Sequence, residues 1–394
     1  MIKRNLVVLM ACFVFTASQT FAAPYGDNVI LRGSLDNTRI RFAGGGQATV
    51  AFLGGSITEM NGYRPMVCEM LKKRFPKTEF TFIEAGISST CSTTGAFRLR
   101  RDVLSQGRVD LLLVEFAVND DQDAQHSPQN CIRGMEGVVR QARLANPAMD
   151  MVMTFFVNEF IMAELQRGVV PPSISAHTRV ADHYQIPTVN LAREVAIQIR
   201  NGELTWQKFG GVHPAPFGNA IASAMIDELF NRAWGTPVAE GMTVAAHPLP
   251  EPLDELSYFN GRFVDIAQAQ LKCGCTIKVP DWASLKGSKR TRYTACETLC
   301  AEGIGAEFSF DFEGRTVGAF ITAGPDAGLC ECSIDGGEFR QIDLFRSYSS
   351  GLHYPYTVIF ASDLKPGRHQ LVVRMAEGTP PERNALRIMH FCVN

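Results

Sequence analysis

The chain has 394 residues, which at roughly 150 residues per domain is too long for one ordinary core and implies two or three domains. Hydrophobic residues make up 46% and charged residues 20%, a balance that buries a substantial core and excludes a disordered, collagenous or coiled-coil chain. With 38 Lys+Arg against 40 Asp+Glu the net charge is -2, so no large positive field exists for a polyphosphate backbone and a dedicated nucleic-acid binder is excluded.

In chain order, Lys3 and Arg4 precede an apolar run over 6–15, followed by small and polar residues up to Ala22-Ala23-Pro24. This is the layout of a secretory signal peptide over 1–22. The run is about half of a bilayer span and no later stretch is long enough to stop transfer, so a secreted or periplasmic chain without a membrane-spanning helix is expected. Leu9-Met10-Ala11-Cys12 matches a lipoprotein cleavage box only loosely, because Met10 is unusual there and the apolar run continues past Cys12. Beyond Cys12 lie Cys68, Cys91 and Cys131 in the first part of the chain and Cys273, Cys275, Cys296, Cys300, Cys330, Cys332 and Cys392 in the last. In an exported chain such an even set predicts structural disulfides; the spacings in Cys273-Gly274-Cys275 and Cys330-Glu331-Cys332 do not suit zinc.

Residues 23–235 read as the first folded domain. Short apolar runs at 50–53, 80–83, 109–116, 151–157 and 187–191 alternate with amphipathic stretches at 63–75, 130–144, 174–183 and 217–230. That alternation predicts a mostly parallel sheet covered by helices, a doubly wound three-layer α/β/α sandwich. From 236 to 257 Pro237, Pro248, Pro250 and Pro252 interrupt any periodicity and mark a linker or surface strap. Over 258–394, strand-like runs at 306–312, 316–321, 330–334, 356–360, 369–375 and 386–391 are separated by turns such as Asp335-Gly336-Gly337 and Lys365-Pro366-Gly367, which predicts a β-sandwich.

Three places in the first domain carry chemistry. The first strand runs into Gly54-Gly55-Ser56-Ile57-Thr58, which puts Ser56 at the carboxyl end of a parallel strand, where open α/β sheets bind ligands. A Gly-Gly-Ser turn by itself is ordinary, and this is not the GxSxG elbow of the α/β-hydrolases. Ala117-Val118-Asn119-Asp120 follows the most apolar strand, so Asn119 reaches the same edge, either to donate to an oxyanion or to cap the next helix. Gly210-Gly211-Val212-His213-Pro214 leads into the last helix, and a histidine there is suited to take a serine proton and return it.

Together these blocks resemble the SGNH hydrolases, the GDSL esterase/lipase family, over residues 49–229. The Ser block is Gly54 to Thr58, the Gly block Glu84 to Thr90, the Asn block Ala117 to Asp120 and the His block His213-Pro214. The stretch from Arg101 to Leu104 through Glu115 to Asp120 is similar to a subgroup acting on carbohydrate esters. The resemblance implies a flavodoxin-like SGNH fold and a serine esterase needing no metal or organic cofactor. In it Ser56 is the nucleophile and His213 the base, while Ser56, Ser89 or Gly86 and Asn119 stabilise the oxyanion. The sequence departs from the family in three places. Gly55 stands where many members have Asp, Ser89 where the oxyanion glycine belongs, and Gly210 where the acid three residues before the histidine belongs, leaving a Ser-His dyad. A backbone carbonyl, or a carboxylate such as Glu59 or Asp120, is then needed to hold the imidazole. The second domain, with Ala323-Gly324-Pro325-Asp326-Ala327-Gly328, resembles the jelly-roll modules of secreted carbohydrate-active enzymes. Tyr348, Tyr354, Tyr356 and Trp282 are candidates to stack on sugars or to pack the sandwich. Arg64, Arg98, Arg100 and Arg101 are candidates for polar substrate contacts or structural roles. The partner expected is an O-acylated, most simply acetylated, polysaccharide or oligosaccharide. The rivals are a longer-chain lipase or acylhydrolase and a degenerate carbohydrate-binding protein.

Overall fold

The computed structural model describes residues 25–377 and 381–394, so the expected signal peptide lies outside the described residues. The first domain runs β1 (Val29–Ile30), α1 (Asp36–Gly44), β2 (Gly46–Gly54), α2 (Ser56–Glu59), α3 (Tyr63–Arg74), β3 (Thr78–Gly86), α4 (Ser92–Asp102), β4 (Leu111–Glu115), α5 (Ala117–Gln122), α6 (Pro128–Ala145), β5 (Asp150–Thr154), α7 (Glu159–Gln166), α8 (Pro172–His183), β6 (Thr188–Val189), α9 (Leu191–Arg200), α10 (Trp206–Phe209) and α11 (Pro216–Trp234). The sheet order is β1-β6-β5-β4-β2-β3, parallel throughout except for β1, which pairs antiparallel with β6 at the edge. Strands β2, β4 and β5 are apolar runs buried along their inner length, because helices cover both faces.

The chain reaches β3 on one side of β2 and β4 on the other, so the topological switch lies between β2 and β4. Loops leaving the carboxyl ends of these two strands diverge and open a crevice there. The helices start where the chemistry of their ends allows. Ser127 accepts from the Asn130 N–H at 3.3 Å with Pro128 opening α6, and Asn158 accepts from the Ile161 N–H at 2.8 Å to open α7.

The second domain comprises β7 (Arg262–Val264), β8 (Gln270–Leu271), β9 (Cys275–Lys278), β10 (Ser288–Lys289), β11 (Thr298–Glu302), β12 (Glu307–Glu313), β13 (Val317–Ala323), β14 (Leu329–Ile334), β15 (Arg340–Asp343), β16 (Leu352–Ala361), β17 (Arg368–Ala376) and β18 (Ala385–Val393). One sheet runs β10-β16-β13-β18-β11-β9 with β7 added to β18, and the other runs β15-β14-β17-β12-β8. Phe308, Phe310, Phe360, Leu371 and Phe391 fill the space between them. Phe320, Met389 and Cys392 of the seven-stranded sheet join the core of the first domain instead. At this seam Arg101 donates to His390 Nε2 at 2.8 Å and lies 4.7 Å over the Phe263 ring, while the Thr94 and Thr357 hydroxyls meet at 2.7 Å.

One expectation needs correction. All ten described cysteines are free thiols, and seven of them are buried and pack as small apolar groups rather than as disulfides. Cys330 and Cys332, for example, sit two apart on one strand, with their side chains on the same face. Of the aromatics considered for sugar stacking, Tyr354 is buried in the sandwich core and Trp282 packs edge-on against His353; Tyr348 is exposed.

Candidate active site

Strand β2 ends at Gly54 and the chain turns at once into α2, so Ser56 stands half-buried at the switch crevice. Its Oγ lies 2.8 Å from His213 Nε2. The histidine reaches this point from the loop between α10 and α11. That loop is pinned by the Ala215 N–H on the Phe209 carbonyl at 2.9 Å and by Asn219 Nδ2 on the Pro214 carbonyl at 2.6 Å. His213 is exposed, and Ser56 is its single hydrogen-bond partner among the described residues.

The turn below the serine is held from beneath. Gly54 pairs in register with Glu115 at the end of β4, and Glu115 Oε1 accepts from the Gly55 N–H at 2.8 Å and the Thr58 hydroxyl at 2.7 Å. Glu115 Oε2 has no partner, and burial pushes the carboxyl up to about 7. Beside it, the fully buried Arg98 donates to the carbonyls of Ala85 and Gly54 at 2.7 and 2.9 Å, tying the ends of β3 and β2 together. Arg98 is therefore structural. So is the buried Arg64, which donates to the Thr58 carbonyl and pairs with Glu84.

Asn119, on the first turn of α5, is buried against Gly55. A Cβ on Gly55 would lie 2.1 Å from Asn119 Oδ1, so this arrangement has no room for the aspartate that the family resemblance would place there. The Asn119 Nδ2 donates to Asp123 Oδ2 at 2.5 Å. Ser89 takes φ 65, the left-handed region that glycine occupies more cheaply, at a cost of roughly 1–2 kcal/mol. Gly86 ends β3 directly under α2, where a Cβ would lie 2.2 Å from the Glu59 nitrogen; this close packing accounts for glycine at 86. Ser56, Ser89, Gly86 and Asn119 thus all belong to the loops and strand ends around the switch.

Gly210 takes φ 107, and a Cβ there would lie 2.0 Å from the Ala215 nitrogen, so this backbone cannot carry an acid at the position three residues before His213. Neither substitute weighed from the sequence fills that role. Glu59 accepts from the Ser88 N–H at 2.8 Å and from the Ser88 hydroxyl, and pairs with Arg292 at 3.4 Å. Asp120 accepts from the Ser92 N–H and hydroxyl, both at 2.7 Å, and contacts His177 at 2.8 Å. Burial alone would raise the Asp120 carboxyl, but the His177 bond and the nearby His126 hold it below its ordinary range.

Cys91, Asp120 and His126, and Asp120, Cys131 and His177, form two sets of potential metal ligands that share Asp120. Both Asp120 oxygens already accept hydrogen bonds, so the cluster reads as an internal network that fixes the Asn119 loop. A cavity of about 840 Å³ lies between the domains at Arg100, Gln141, Arg262 and Arg315; none of its lining residues belongs to the dyad or the oxyanion loops.

The second domain reaches this crevice from two sides. Arg292 donates to the Gly86 carbonyl at 3.2 Å, and the Tyr348 hydroxyl accepts from Gln122 Nε2 at 3.2 Å. Sequence reasoning missed Glu115, Asp123 beside Asn119, and the contact of Tyr348 with Gln122. The one local signal was a lone carboxylate, Glu115, closing an otherwise apolar strand.

Residues 52–221 match the family described as GDSL-like Lipase/Acylhydrolase. No curated protein matches the sequence significantly. Among solved structures, a two-domain esterase active on acetylated mannans, also co-crystallized with mannopentaose, is 22% identical with a TM-score of 0.74, covering 93% of this chain and 97% of that one. This similarity establishes the two-domain fold. An acetylxylan esterase from Geobacillus stearothermophilus is 18% identical with a TM-score of 0.37, covering 47% of this chain and 95% of that one.

Proposed function

From the match of residues 52–221 to the GDSL-like lipase/acylhydrolase family, the SGNH hydrolases, we propose that this chain is an exported serine esterase removing O-acetyl groups from a polysaccharide or its fragments. The observation that carries the reading is the 2.8 Å contact between Ser56 Oγ and His213 Nε2 at the switch crevice, with Asn119 on the neighbouring loop. Ser56 Oγ attacks the ester carbonyl as His213 Nε2 takes its proton. On this reading the Ser56 and Ser89 N–H groups and the Asn119 amide stabilise the oxygen that becomes negative. His213 then protonates the departing sugar hydroxyl, leaving an acetyl-serine. Water, deprotonated by the same imidazole, releases acetate and regenerates Ser56.

The polysaccharide preference is supported by the module that flanks the crevice and by the two-domain neighbour active on acetylated mannans. Hydrolysis of an aryl acetate by the purified chain, beside Ser56→Ala, tests the chemistry. The variant is expected to lose at least about 10³-fold in kcat with its thermal midpoint unchanged. Equal rates in both proteins would remove Ser56 from the reaction. A series of acyl chain lengths separates the acetylesterase from a lipase, and the degenerate binding protein would show no turnover at all.

A further inference from the structure

A second concave place lies on the same edge of the sheet as Ser56. Helices α5 and α7 leave the carboxyl ends of the neighbouring strands β4 and β5, and between them runs a groove of about 330 Å³ whose walls include Asp121, Gln122, Gln125, Phe160, Glu164 and Arg167. Helix α7 buries Ile161 and Met162 in the core and leaves Phe160 at 71% exposure, the highest of any large apolar side chain among the described residues. The residues just before Phe160 are anchored on both sides. Asn158 donates from Nδ2 to Asp121 Oδ2 at 2.8 Å and to Gln122 Oε1 at 3.3 Å, on the helix that carries Asn119. Glu159 Oε1 accepts from Trp206 Nε1 at 3.2 Å, on the short helix from which the His213 loop departs. The start of α7 is thus fixed to the two segments that bring Asn119 and His213 to Ser56.

We infer that this groove is a sugar subsite of the esterase, in which the Phe160 ring stacks on a residue of the polysaccharide neighbouring the one that carries the ester. The inference rests on the Ser-His esterase reading above. An acylated residue inside a chain has sugars on both sides, so the polymer must leave the crevice along the protein surface. The lining selects the ligand. A pyranose offers C–H groups on its faces and hydroxyls around its rim, which matches an aromatic face surrounded by polar side chains. Gln125, Glu164 and Arg167 have no side-chain partner among the described residues, so an amide, a carboxylate and a guanidinium are all free to exchange hydrogen bonds with hydroxyls. Gln125 is moreover held at φ 48, a left-handed backbone that costs a non-glycine residue energy. The bonds that hold it there run from the Ala124 N–H to the Asn119 carbonyl at 2.9 Å and from the His126 N–H to the Asp120 carbonyl at 2.8 Å. Charges of both signs along the walls give the groove no strong field to collect an anionic ligand. A long acyl chain would instead require an apolar slot, and this one carries charge along its rim.

The test compares acetylated mono-, di- and trisaccharides of mannose, glucose and xylose with aryl acetate, using the full chain, Phe160→Ala, Phe160→Trp and Ser56→Ala. For the sugar it prefers, wild-type kcat/KM is expected to rise about ten-fold or more from mono- to trisaccharide. Phe160→Ala is expected to raise the trisaccharide KM about five- to twenty-fold with kcat within about three-fold, and to lower the trisaccharide-to-aryl-acetate ratio of kcat/KM about ten-fold. Phe160→Trp keeps an aromatic face and is expected to restore most of that ratio; a merely structural contact would not be rescued by a larger ring. The ring is exposed, so Phe160→Ala is expected to fold with its thermal midpoint unchanged. A wild type active on aryl acetate whose kcat/KM does not rise with sugar length, or a Phe160→Ala variant that keeps the wild-type ratio, would overturn this inference alone. So would a KM increase confined to aryl esters of longer acyl chains, which would assign the groove to an acyl chain. Activity that survives in Ser56→Ala, or a folded wild type inactive on every substrate, brings down the esterase reading and this inference with it.

Discussion

At the scale of single residues, the departures from the family pattern are accounted for by what their neighbours occupy. Asn119 fills the space a side chain at Gly55 would need, and the Ala215 backbone fills the space at Gly210. Beneath Ser56, Glu115 offers a consequence that can be measured. Burial raises its folded value to about 7 from an ordinary 4.5, so the fold favours the protonated acid. Its contribution is therefore most favourable below the unfolded value and declines as pH rises from about 4.5 to 7. Glu115→Gln keeps an oxygen for the Gly55 N–H and the Thr58 hydroxyl without the buried charge. The variant is expected to be more stable than wild type at pH 8, by on the order of 3 kcal/mol, and the gap is expected to close toward pH 5. Urea unfolding at the two pH values checks this; a gap independent of pH would show that Glu115 does not titrate in the fold. Ser56, Asn119 and His213 were legible because each follows a strand or a glycine turn that exposes it. Glu115 was not, because its role depends on the register of β4 against β2.

At the scale of elements, helix α6 organises the back of the molecule through one carboxylate. The fully buried Glu136 accepts from the Leu253 and Asp254 N–H groups at 2.6 and 3.0 Å and from the Tyr184 and Ser257 hydroxyls at 2.6 and 2.5 Å. With Arg140 and Arg143 on the Pro250 and Pro248 carbonyls, it staples the Pro-rich segment along α6, so of the two readings, linker or surface strap, the segment takes the second. Glu136→Ala removes the acceptor of four donors, two of them in buried bonds, and is expected to destabilise the chain by about 3–5 kcal/mol, measured by urea unfolding. A loss under about 1 kcal/mol would mean that the strap holds without it. The apolar patterns of α3, α6, α8 and α11 were visible in the sequence. Helix α4 was not, because Ser92, Thr93, Thr94 and Arg98 are buried polar residues whose partners come from distant segments, such as Asp120 and Thr357. Strand β6 is only two residues long, and β1, β7 and β8 are short edge pieces that gain their pairing from neighbours rather than from composition.

At the scale of the whole molecule, the two-domain layout and the α/β and sandwich architectures were legible from alternation and turn spacing. The way the domains meet was not. Contacts such as Gln122 with Tyr348, 226 residues apart, and Arg101 with His390, 289 residues apart, have no local signature. Burial, with Arg101 alongside, lowers His390 to about 4, which keeps the ring neutral to accept from the guanidinium. This seam and the Tyr348 contact together make the second domain part of the crevice wall. On the proposed reading Ser56 is a nucleophile activated by His213. Intact-mass and peptide mass spectrometry after exposure to a fluorophosphonate, which phosphonylates activated serines, tests it most directly. The expected result is a single stoichiometric adduct on Ser56; an unmodified Ser56 in the folded chain, or an adduct only elsewhere, would contradict it.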